Sequence, residues 1–213
     1  MATSTSTSTQ TPIVHLPRSG TLIRPLAHTN SDIQSLAHHA NNPKIAQYMR
    51  NAFPSPYKHS DASSWITFTM SQNPKHDFCI CLTSTNTVIG AIGLKPRTDI
   101  QHCSMELGYW LSEEYWGRGI VSEAVEEFVR WVFGRKEFGH VVRLDAEVFD
   151  GNEGSKRVLE KAGFVCEGRR RCAVEKGGVV LDTFVYALIR QDLEAAGTTH
   201  STSSLDSSNC GGL

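Results

Sequence analysis

The stretch Tyr109-Trp110-Leu111-Ser112-Glu113-Glu114-Tyr115-Trp116-Gly117-Arg118-Gly119-Ile120-Val121-Ser122 narrows the fold more than any other. A strand-like run from Cys103 to Leu111 enters a short polar turn, passes two glycines and opens a helical segment from Val121 to Phe133. Strand, glycine turn and helix start are the parts of an anion site. Glycines let the backbone bend so that several N–H groups converge. A new helix adds its unpaired first-turn N–H groups and the positive end of its dipole. A phosphate or pyrophosphate suits that place. Taken alone, a Gly-x-Gly before a helix also fits an ordinary turn. The third glycine of the dinucleotide-binding pattern and the Gly-Lys-Ser/Thr of the P-loop are both missing.

The rest of the chain alternates in kind. Thr21–Leu26 is a strand ended by Pro25, and Asn30 or Ser31 caps a helix that Pro43 stops. A short helical piece covers Ile45–Met49, and the stiff Phe53-Pro54-Ser55-Pro56-Tyr57 loop precedes a helix capped by Ser60 or Asp61. Phe78–Leu82 and Val88–Leu94 form a hairpin. Val141–Val148 is a further strand, and a helix bearing Val158, Leu159 and Ala162 ends at Gly163. Phe164–Ala173 and Val179–Ile189 pair over Lys176-Gly177-Gly178. The expected class is α/β, a mixed sheet with helices on its faces. Residues 20–195 make the domain, between Ser/Thr-rich tails at 1–19 and 196–213 that are expected to be disordered and dispensable for stability.

Composition excludes several classes. A formal net charge of −1 gives no bulk attraction to nucleic acid or to an anionic membrane. No apolar run is long enough to span a bilayer, and the N-terminus lacks a basic region followed by an apolar one, so no secretory signal is expected. The six cysteines contain no CxxC pair and the nine histidines no HExxH, so no metal is expected. His38 and His39 are placed on the solvent side of their helix. Free thiols in a reducing, cytoplasmic setting fit the cysteine usage, with Cys79 and Cys81 on one face of their strand.

Two places together resemble the GNAT family of N-acetyltransferases. Trp116-Gly117-Arg118-Gly119-Ile120-Val121 is similar to the Arg/Gln-x-x-Gly-x-Gly/Ala loop that holds the pyrophosphate of coenzyme A in that family. Asn152-Glu153-Gly154-Ser155, continuing to Lys161-Ala162-Gly163-Phe164, resembles its Asn-x-x-Ser/Ala helix. The likeness runs from about Thr21 to Asp192. Phe53-Pro54-x-Pro56-Tyr57, Glu106–Leu111, Tyr115–Ile120 and Glu167-Gly168 resemble the RimJ/RimL subgroup, which includes enzymes acetylating N-termini of ribosomal proteins. Trp116 replaces the loop's Arg/Gln, and Val121 its last Gly/Ala.

The resemblance implies a GNAT fold with a central twisted mixed sheet whose middle strands splay, and acetyl-CoA as co-substrate. Gly117, Arg118, Gly119, Ile120, Val121 and Ser122, with Trp116, would hold the pyrophosphate. Trp110 and Leu111 would pair with the pantetheine arm, and the Leu111 N–H would meet the oxyanion. Asn152 would bond the pantetheine amide or act as a plain helix cap. Ser155 would protonate the thiolate or only bond backbone. Many relatives carry a tyrosine acid where this chain has Leu159.

The proton acceptor is Glu106 or Glu147, directly or through water. An α-amine with a pKa near 8 needs less help than a lysine near 10. The favoured acceptor is therefore a protein or peptide N-terminus, attacked directly in a ternary complex. A small amine (polyamine, amino acid or xenobiotic) and a catalytically silent acyl-CoA-binding module are the alternatives. Arg169-Arg170-Arg171 reads as a solvated face or as contact with an acidic substrate. The chain is expected to work as a monomer or homodimer.

Overall fold

The computed structural model describes residues 10–193. Eight strands form one sheet in the order β1-β2-β3-β4-β5-β6-β8-β7. They are β1 (Val14–Leu16), β2 (Thr21–Arg24), β3 (Asp77–Leu82), β4 (Val88–Pro96), β5 (Ser104–Leu111), β6 (Arg143–Phe149), β7 (Val165–Lys176) and β8 (Val179–Ile189). The helices are α1 (Asn30–Ala40), α2 (Pro43–Ala46), α3 (His59–Ser71), α4 (Ile120–Gly134) and α5 (Glu153–Lys161). Among the described residues no helix is long and apolar enough to cross a membrane.

Every pairing is antiparallel except β5 with β6, which is parallel and brief: Ser104, Met105 and Glu106 face Arg143, Leu144 and Asp145. Beyond that point each strand keeps its outer neighbour. β5 stays on β4 as far as Leu111 opposite Gly90, and β6 stays on β8 as far as Phe149 opposite Thr183. The sheet therefore opens in its middle while both halves remain hydrogen-bonded, which is the splay the resemblance implied.

One face is sealed by α4 and α5. Ala124, Val125, Phe128, Val129 and Val132 recur at helical spacing and bury one stripe of α4 against Leu144, Val148 and Leu159. Glu126, Glu127 and Arg130 occupy the wet side of α4 and pair across one turn. On the other face α1 and α3 cover β2 to β4, burying Leu36, Ile66, Cys79, Cys81 and Val88. The part of that face formed by β5, β6 and β7 carries charged side chains instead, among them Glu106, Asp145, Glu147 and Arg170.

Several expectations need correction. The N-terminal tail is not wholly free of structure: Val14, His15 and Leu16 pair with Ile23, Leu22 and Thr21, and Leu16 is completely buried. The Arg18 N–H donates to Glu123 Oε1 at 2.9 Å, tying the segment to α4. The apolar run Ile13–Leu16 is too short to show a period, and docking on α4 makes it a strand. Leu16→Ala is expected to cost about 2–5 kcal/mol, roughly 5–15 °C in Tm, by thermal denaturation. An unchanged Tm would mean the strand contributes nothing. The 196–213 expectation lies outside the described residues.

Helix starts move slightly. Thr29 caps α1, its hydroxyl accepting from Asp32 N, and Lys58 precedes α3. His39 is buried, not solvent-facing, and bonds Ser112 Oγ through Nδ1 at 3.0 Å. Cys79 and Cys81 do share a face, with their sulfurs 3.5 Å apart, and both are fully buried.

Candidate active site

The opening between β5 and β6 is lined by backbone. Pairing with β4 uses even-numbered residues of β5: the Ser112 N–H reaches Ile89 O at 2.8 Å, and Ser104 O accepts from Arg97 N. Strand alternation then turns the N–H and C=O groups of Leu107, Tyr109 and Leu111 toward the gap. The Leu111 carbonyl is taken by the Trp116 indole N–H at 2.8 Å, which folds the following loop back on the strand end. The Trp110 side chain lies on the other face, edge-on to Phe53.

The glycine loop runs from that strand end to α4. Gly117 and Gly119 have φ of 73° and 75°, left-handed conformations that favour glycine. Nothing lies within 4 Å of where a Cβ would stand on either. Gly119 is the N-cap of α4 and offers no side chain to it, so the first-turn N–H groups of Ile120, Val121 and Ser122 have no cap. The Ile120 side chain goes into the core, and the Arg118 guanidinium rests over the Tyr115 ring, 5.2 Å from its centre. Uncapped N–H groups beside open space and two left-handed glycines fit an anionic phosphate group.

α5 closes the gap from the sealed face. Asn152 caps it, with Oδ1 accepting from Ser155 N at 3.2 Å. The Ser155 hydroxyl is not spent on backbone: its Oγ lies 2.7 Å from the Tyr109 phenol, and that phenol also reaches Ser155 O at 3.3 Å. Burial pushes the Tyr109 hydroxyl far above its usual range, so it stays protonated at neutral pH. Tyr109 was not among the sequence candidates. Its signal was the alternation of β5, which puts it on the α5 side beside the gap.

Neither candidate carboxylate is free. Both Glu106 oxygens lie 2.7 Å from Arg50 Nη2, with Lys95 and Arg97 each 4.0 Å away. Glu147 accepts from Arg170 Nη1 and Thr183 Oγ1, both at 2.7 Å. Arg170 is thus paired across strands rather than simply solvated, and Arg169 pairs with Asp182. The two glutamates share the uncovered face, opposite Tyr109 and Ser155 across the sheet. The β7–β8 tip meets the loop before α3, where Lys176 Nζ donates to Met49 O at 2.7 Å and to Asn51 Oδ1 at 3.2 Å. Among the described residues His38, His39 and Glu114 form a group that could hold a metal, with ligand atoms within 4.8 Å of one another. Burial holds the His39 imidazole below its usual range.

Residues 21–165 match the acetyltransferase (GNAT) domain family. The chain belongs to the GNAT acetyltransferases. A relative, the uncharacterized N-acetyltransferase p20 of Bacillus licheniformis, is 25% identical over 162 residues, covering 76% of this chain and 89% of that one. Two solved GNAT structures share the fold. The ribosomal-protein-S5-alanine acetyltransferase of Vibrio fischeri matches with a TM-score of 0.68 at 21% identity, over 81% of this chain and 94% of that one. RimL, a ribosomal L7/L12 alpha-N-protein acetyltransferase in complex with coenzyme A, matches with a TM-score of 0.67 at 19% identity, over 80% and 94%.

Proposed function

We propose that this N-acetyltransferase moves acetyl from acetyl-CoA to the α-amine of a protein or peptide N-terminus, by direct attack within a ternary complex. The observation that carries the reading is the backbone-lined opening between β5 and β6, which leads at its β5 end into the uncapped glycine loop. The pyrophosphate takes the N–H groups from Gly117 to Ser122. The pantetheine arm runs along the free edge of β5 as an added strand, with the amide of Asn152 beside it. The thioester oxygen faces the Leu111 N–H, which stabilises the charge that develops there.

The neutral amine nitrogen attacks the thioester carbon from the charged face, a C–N bond forms and the C–S bond breaks. Glu106 or Glu147 accepts the amine proton, directly or through water. Ser155 donates to the departing thiolate, Tyr109 replaces that proton along their shared hydrogen bond, and the proton taken from the amine returns to Tyr109 through solvent. The Tyr109 phenol thus acts as the donor behind Ser155.

An α-amine suits a site whose carboxylates are already ion-paired, because it is partly neutral near pH 8 without a strong base. RimL and the S5-alanine enzyme, by their names, acetylate ribosomal proteins, which supports this acceptor class. One observation favours a small amine instead: the Lys176 contact with Met49 and Asn51 narrows the mouth. Turnover of N-terminal peptides against spermidine and other small amines decides between them. Faster peptide acetylation is expected; spermidine far ahead of every peptide would refute the N-terminal reading.

A further inference from the structure

The uncovered face is layered by charge. Three of its carboxylates sit on the strands and are recessed: Glu106, Asp145 and Glu147 keep 15%, 11% and 21% of their side chains exposed. The guanidinium groups stand above them, Arg50, Arg97 and Arg170 keeping 53%, 36% and 60%. The pairs join into a ladder. Arg97 bridges Glu106 at 4.0 Å and Asp145 at 2.7 Å, and Arg143 bridges Asp145 at 3.7 Å and Glu167 through a short pair.

Cations outnumber acids along the ladder. Lys95 adds to the guanidinium groups of Arg50, Arg97, Arg143 and Arg170. Lys176 adds another cation whose bonds go to neutral oxygens. Facing these six are the four carboxylates of Glu106, Asp145, Glu147 and Glu167, a local excess of two positive charges on a chain of net charge −1. A molecule approaching the gap from this side meets Arg50, Arg97 and Arg170 before the carboxylates they cover, whereas at the Arg143–Glu167 end the acid is the more exposed partner, 44% against 26%.

We propose that Arg50, with Arg97 behind it, forms an anion subsite in the acceptor pocket, and that the acceptors are N-terminal peptides with Asp or Glu next to the acetylated residue. This rests on the N-acetyltransferase reading of the gap. When such a peptide enters, its amine takes the place of Arg50 against Glu106, and its carboxylate takes the place of Glu106 against Arg50. The exchange leaves no recessed charge unpaired, which is the costly outcome. A polyamine would break the Arg50–Glu106 pair and give Arg50 nothing in return. Long-range attraction to the positive rim also speeds arrival of an acidic peptide.

The test compares peptides differing only by Asp or Asn at the second residue, with free aspartate and asparagine as the small-amine arm. Turnover is measured on the full chain, and binding to the CoA-loaded protein by calorimetry. The acidic member of each pair that binds should be favoured about five- to tenfold, and less so as salt rises. Arg50→Gln should bring the ratio close to one and Arg50→Lys should restore part of it, with acetyl-CoA affinity unchanged as proof of folding. Equal or better use of the Asn member, or a preference that survives Arg50→Gln, overturns the proposal. Turnover confined to the small amines refutes the peptide acceptor, and the aspartate–asparagine ratio still decides the subsite. Should nothing turn over, the calorimetric ratio decides it.

Discussion

Replacing Gly119 by glutamate is expected to abolish acetyl-CoA binding, a loss of about a hundredfold or more in affinity. Two effects act together. At φ 75° a side chain strains the backbone by roughly 1–2 kcal/mol. The new carboxylate also lies at the uncapped N–H groups of α4, where it satisfies the dipole and repels pyrophosphate. No atom lies within 4 Å of the added Cβ, so the side chain meets open space and the domain should still fold. Gly119→Ala separates the two effects, because it keeps the strain and omits the charge. It should bind acetyl-CoA more weakly than the parent and far better than Gly119→Glu. Calorimetry reads both, and tight binding by the glutamate variant would remove the pyrophosphate from this loop.

Ser155→Ala is expected to lower kcat by roughly 10²-fold with little change in acetyl-CoA affinity, the size of effect typical of a positioned acid. Tyr109→Phe should lower it by about tenfold, because Ser155 keeps its own proton but loses the donor behind it. Burial keeps the resting Tyr109 phenol protonated, so no loss of activity from its ionisation is expected between about pH 6 and pH 9. Of Glu106→Gln and Glu147→Gln, the one that takes the amine proton should fall by more than about tenfold, most sharply at the lower pH where the amine is charged. Full turnover by all four variants across that range would leave catalysis to positioning and to the amine's own pKa, and would withdraw these roles.

What the sequence exposed, and what it hid, follows from the range of each interaction. The strand, glycine turn and helix from Ser104 to Gly134 were legible because their signals are local: apolar spacing, two glycines and a helix start. Asn152 and Ser155 were legible through a motif. The partners of these groups were not. Arg50 meets Glu106 across 56 residues of chain, and His39 is buried through a contact with Ser112 across 73. Nothing local marks Arg50, a loop residue, as the partner of a strand glutamate. The alternation of β5 puts Tyr109 on the sealed face, but only the docking of α5 brings Ser155 to it. The splay of the middle strands came from the family resemblance, since no residue pattern within β5 or β6 encodes where two parallel strands part.

The most direct measurement follows where the acetyl group goes. The full chain is incubated with isotope-labelled acetyl-CoA and peptides that carry both a free N-terminus and an internal lysine, and the products are sequenced by tandem mass spectrometry. The expected result is a single labelled acetyl group on the α-amine, appearing with release of one free thiol per peptide and absent from the Gly119→Glu variant. Label on the lysine side chain alone, or no label on any amine while acetyl-CoA binds tightly, would contradict N-terminal acetyl transfer at this site.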